Sequence, residues 1–202
     1  MHSAGRLGKS SGVDYGPFLT RGTVWLALTL YVAAEVIRSR SGVTGAKLMA
    51  ARTLNSLGCV LFLGHVACAF HFYHHWSHTS AYAETARQTK EYFGLNWGGG
   101  LYFNYLFLLL WLGQAIRSWT ISAYNWSHEK PGMCGWGIRG FVLLMIVNGA
   151  VIFAHGPIRW FGLFLSLVLV WSWWPTKDAN AGQAPEPNAT TGSELSRRDN
   201  RE

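Results

Sequence analysis

Five apolar runs alternate with polar connectors along this chain: Thr23 to Ile37, Leu54 to His78, Leu101 to Ile116, Ile138 to His155 and Ile158 to Trp174. Each is longer than the roughly 4 to 8 residues of a buried strand, and none alternates apolar with polar at a period of two. All five therefore read as helices. A bilayer core takes about 20 helical residues, and backbone polar groups inside it must be satisfied within the segment. The pattern predicts an all-α, multi-pass transmembrane helical bundle of about five helices.

The punctuation between the runs divides the chain. Residues 1–19, rich in Ser and Gly, predict a disordered N-terminal arm, residues 20–175 the transmembrane helical domain, and residues 176–202 a disordered polar tail with too few apolar residues to form a core. Val32-Ala33-Ala34 also resembles a signal-peptide cleavage site, but the long polar lead before it favours a retained first helix. The second run ends in His71, His74, His75 and His78, and its helix is expected to continue through that quartet and on to Arg87, with Glu84 placed to pair with Gln88. Gly94 and the triplet Gly98 to Gly100 interrupt it and read as a flexible lead-in to the third helix. Ile138 to Trp174 is too long for one span. Gly156-Pro157 divides it, a helix stop followed by a helix start.

Composition supports this segregation. Charged residues make up 13% of the 202-residue chain and apolar residues 50%, against roughly 25% charged in soluble domains. The net charge of +7 comes from Lys and Arg that flank the apolar runs rather than from a basic stripe interleaved with stacking aromatics, which argues against nucleic acid as a partner. Three cysteines make no disulfide framework. Arg38, Arg40, Lys47, Arg52, Arg117, Lys130, Arg139 and Lys177 gather on one side, and Arg6, Lys9, Arg21, Arg87, Lys90 and Arg159 on the other. That imbalance favours a cytoplasmic C-terminus, with the plasma (inner) membrane of a bacterium as the expected location.

The candidate chemistry lies in the second run. His71, His74, His75 and His78 would share one side of a continuous helix, and five-helix parity brings His155 and Asn104 to the same membrane face. Imidazole is a common ligand for iron, zinc and copper, so these five histidines are the expected metal ligands. A haem is the other cofactor expected, with His65 or His71 paired to His155 as axial ligands. Asn148, seven residues before His155, is placed to support it and, with His65 and Asn104, completes the expected cofactor-binding set. Glu35, on the opposite side, is expected to pair with Arg38 or Arg40.

The strings HxxHH, from His71 to His75, and HxxxH, from His74 to His78, are similar to the histidine boxes of integral-membrane fatty acid desaturases and hydroxylases. The resemblance covers about eight residues. It implies redox or hydroxylase-like chemistry at iron, but that family distributes its boxes over separate segments, so a complete di-iron centre here would require two copies of the chain to pool ligands. Two other functions fit the same residues: a non-enzymatic membrane subunit or scaffold whose histidines sit among headgroups beside Phe70, Phe72, Tyr73 and Trp76, and a small proton-coupled transporter. The expected partners are the lipid bilayer and either a second copy or the other subunits of a membrane complex.

Overall fold

A computed structural model describes residues 15–40, 45–122, 132–152, 154 and 156–174. Six helices, and no strand, occur among the described residues. They are α1 (Tyr15–Arg40), α2 (Gly45–Phe72), α3 (His78–Phe93), α4 (Gly100–Thr120), α5 (Met133–Val147, continued by a π-helical turn over Asn148–Ile152) and α6 (Ile158–Trp173). Two are long and apolar enough to cross a membrane: α2, and α5 with its π-turn.

The observed boundaries correct the expected ones at several points. Helix α1 begins at Tyr15, inside the expected arm, and α2 begins at Gly45, nine residues before Leu54. The largest correction concerns the end of α2. It stops at Phe72 instead of running through His78, because His75 and Trp76 both adopt positive φ (47° and 60°), a conformation no helix can carry. Ser77 then caps a new helix, its side chain accepting from the Ser80 N–H. Gly94 closes α3 in the left-handed conformation at φ 73°. Gly156, also at φ 73°, and Pro157 make the expected turn before α6.

The packing order is a closed ring. Helix α1 packs on α2 and α6, α2 on α4, α4 on α5 and α5 on α6, while α3 lies outside against α4. His65 meets Thr20 and Gly58 meets Ala27, so α1 and α2 are antiparallel. Trp25 meets Phe161 and Glu35 meets Trp173, so α1 and α6 run parallel. The centre is aromatic. Trp111 is 2% exposed, with its ring centroid 5.0 Å from Tyr31, 5.4 Å from Phe62 and 5.6 Å from Phe107. Its indole N–H donates to Asn55 Oδ1 at 3.1 Å, which gives the one polar atom of that ring a buried partner.

Close approach fixes two of the contacts. A Cβ on Gly58 would crowd Trp111 and the Ala27 carbonyl, and a Cβ on Gly162 would overlap the backbone of Ala150 in the π-turn. Small residues of this kind let helix backbones meet. Gly162→Leu is expected to lower stability by about 1–3 kcal/mol through overpacking. Thermal unfolding in detergent measures this, with Gly140→Ala, where nothing lies within 4 Å, expected to match the parent.

Candidate functional site

The break after Phe72 disperses the histidine quartet. His71 ends α2, His74 and His75 lie in the turn, and His78 begins α3. The expected single-helix stripe is therefore absent. Each of three rings packs on an aromatic neighbour instead: His71 on Phe72 at 4.8 Å, His74 on Phe70 at 5.7 Å, and His78 at 6.0 Å from both Tyr102 and Tyr105. Among the described residues no three His, Cys, Asp or Glu side chains gather closely enough to hold one metal ion. His155 lies outside the described residues.

An open cleft of about 750 Å³ separates the turn from α3, lined by Tyr73, His74, Ser80, Ala83, Glu84 and Arg87. Glu84 is fully engaged there. Arg87 donates to both of its oxygens, at 2.6 and 2.9 Å, and Gln88 donates at 2.9 Å, the expected Glu84–Gln88 pair. The Arg87 hydrogen bonds hold the Glu84 carboxyl below its usual range, and Gln88 and nearby His74 act in the same direction. Helix α3 thus carries a charged outer surface while Ala81 is buried.

The remaining expected residues separate. His65 Nδ1 lies 2.8 Å from the Thr20 carbonyl oxygen. A carbonyl only accepts, so Nδ1 carries the proton and Nε2 keeps its lone pair. Asn104 is exposed. Asn148 is half-buried and opens the π-turn, its backbone N–H shared between the Leu144 and Met145 carbonyls. Neither asparagine joins the histidine turn in a hydrogen bond among the described residues.

The densest polar constellation lies at the opposite end of the ring, around Glu35. The residue is 3% exposed. Arg38, one of the two partners expected, donates to it twice, at 2.6 and 3.1 Å. Gln114 of α4 adds a third bond at 3.2 Å and Trp173 of α6 a fourth at 3.1 Å. Those two contacts, separated by 79 and 138 residues in the chain, leave no local trace in sequence. A lone acid within an apolar run is the signal that could have marked them.

No protein-family model matches this chain, nor does any curated protein or solved structure compared with it.

Glu35→Gln should be costly, because it leaves the Arg38 guanidinium without its buried counter-charge. A loss of about 3–5 kcal/mol is expected from breaking one partner of a buried pair, read as a lowered melting midpoint in detergent; an unchanged midpoint would contradict the role given to Glu35. The Glu84 contacts predict a pH effect at the other end. A carboxyl depressed in the folded state contributes stability above its unfolded pKa of about 4.3, and that contribution is lost as pH falls through the lower folded value. Amide exchange in α3 should therefore accelerate on acidification below that range, and Glu84→Gln should remove the transition.

Proposed function

We propose that this protein is an integral, multi-pass membrane subunit: a five-helix ring embedded in lipid, with α3 and the histidine turn forming a polar cap at one membrane face. One observation carries the reading. In the two helices long and apolar enough to cross a membrane only 22% and 17% of the membrane-length window is buried inside the protein, whereas the core helix of a water-soluble protein is mostly buried. The outward side chains include Val60 at 62% exposure, Leu109 at 63%, Leu144 at 62% and Leu167 at 60%. They belong to four different helices. An apolar belt that encircles a bundle in this way has lipid as its natural solvent.

In this setting the histidines act first as interfacial residues. Their rings pack on Phe70, Phe72, Tyr102 and Tyr105, amphipathic contacts suited to the headgroup level. Helix α3, polar and amphipathic, lies along that level and offers the cap to water-side partners, the other subunits of a membrane complex.

A second reading, ligation of a transition metal or haem, is favoured by the fixed tautomer of His65. Its Nδ1–H bond to Thr20 presents a free Nε2 lone pair, the arrangement a metal-bound imidazole requires. Further ligands would have to come from His155 or from a second copy of the chain. Elemental analysis and an absorption spectrum of purified protein test it, with His65→Ala expected to abolish any Soret band or bound metal.

The membrane reading predicts that the protein stays with membranes through alkaline carbonate washing, and that its two ends lie on opposite sides. Cys134, exposed at the start of α5, and a cysteine introduced by Ser80→Cys on α3 should react with an impermeant maleimide from opposite sides of sealed vesicles. Release by carbonate, or labelling of both positions from one side, would contradict it.

A further inference from the structure

Arg139 stands in the second turn of α5, beside the Glu35 constellation. Its guanidinium carbon is 5.2 Å from the ring centroid of Trp136 and 5.4 Å from that of Trp173. Trp173 is the same side chain that donates to Glu35. The two indoles hold the guanidinium by cation–π attraction through its face, which leaves the N–H fork in its own plane available for hydrogen bonding. Among the described residues no acceptor hydrogen-bonds that fork.

The carboxylate close by cannot fill this role. Glu35 already accepts two bonds from Arg38 and one each from Gln114 and Trp173, and a carboxylate offers about four lone-pair positions. Arg38 and Arg139 both act electrostatically on Glu35 and on each other. Glu35 is the only acid at this end among the described residues.

A half-buried guanidinium with an open fork suits a planar pair of anionic oxygens, which it binds bidentately. Indoles such as its two neighbours are suited to the headgroup level of a bilayer. We propose that Arg139, framed by Trp136 and Trp173, binds an anionic phosphate group at the face of the ring opposite the histidine turn. The phosphate can belong to an anionic lipid headgroup or be free in solution, and only the lipid source rests on the membrane reading above.

The test uses the full chain purified in detergent, titrated with phosphatidylglycerol, phosphatidylcholine and inorganic phosphate, with binding followed by native mass spectrometry for the lipids and by calorimetry for phosphate. Phosphatidylglycerol or inorganic phosphate should bind, with phosphatidylcholine about 10-fold weaker or more. Arg139→Gln should weaken that binding about 10-fold or more, as loss of charge-assisted hydrogen bonds implies. Arg139→Lys keeps the charge but not the fork and should fall between. Arg159→Gln, at the other face, should bind as the parent does. Binding of phosphatidylglycerol alone assigns the site to a headgroup, and binding of both assigns it to phosphate as such. Absence of binding by both anions, equal binding of the two lipids without phosphate binding, or affinity unchanged in Arg139→Gln overturns the proposal. If Arg139→Gln does not fold, Arg139→Lys decides, and an affinity equal to the parent's overturns it. Carbonate resistance and vesicle labelling do not depend on Arg139, so failure here is distinguishable from failure of the membrane reading.

Discussion

A single buried carboxylate holds three helices of this ring in register. Glu35 on α1 receives donors from its own helix, from Gln114 on α4 and from Trp173 on α6. Removing such a group from water costs several kcal/mol, and the cost is offset only when every lone pair finds a donor at good geometry. The sliding of α4 or α6 by one turn, about 5.4 Å, would break the set. The interaction therefore acts less as general adhesion than as a lock on relative height. Dispersion contacts between aromatic rings change gradually with sliding, whereas directional hydrogen bonds such as these do not.

That lock also divides the protein into unlike ends. On one side of the aromatic layer of Tyr31, Phe62, Phe107 and Trp111 lie the histidine turn and the polar helix α3, where Arg87 pairs with both Glu84 and Glu91. On the other side lies Glu35, the one acid at that end among the described residues, with Arg38 and Arg139 close by. An apolar belt separates the two ends. The proposed membrane setting draws on that belt, and the proposed phosphate site on Arg139 and its two indole neighbours at the Glu35 end.

Sequence pattern carried the five apolar runs as helices, since long apolar runs admit little besides helix, but it merged α3 with α2 and so expected five helices where six occur among the described residues. Gly156-Pro157 was equally readable, because the positive φ and the missing N–H act locally. The histidine quartet was misread for a reason of the same scale. Its offsets satisfy a helical face, but helical spacing has meaning only while the backbone stays helical, and His75 and Trp76 leave that conformation. Ser77 was the available warning, a strong N-cap residue directly before a helix-forming stretch. The Gly98 to Gly100 triplet reads as flexible yet packs tightly, with Tyr82 against Gly98. Arg139 appeared only as a flanking charge, and its two indole neighbours come from residues 136 and 173, one local and one far along the chain.

The proposed membrane setting rests most heavily on the exposed apolar belt. Nitroxide labels placed singly at Val60, Leu109, Leu144 and Leu167 in liposome-reconstituted protein, with collision rates measured for oxygen and for a water-soluble nickel complex, address it directly. All four positions should favour oxygen, as hydrocarbon-exposed sites do, while a label at Ser80 favours the nickel complex. Preferential collision with the nickel complex at the four belt positions would mean that water surrounds the ring, and the account would fail.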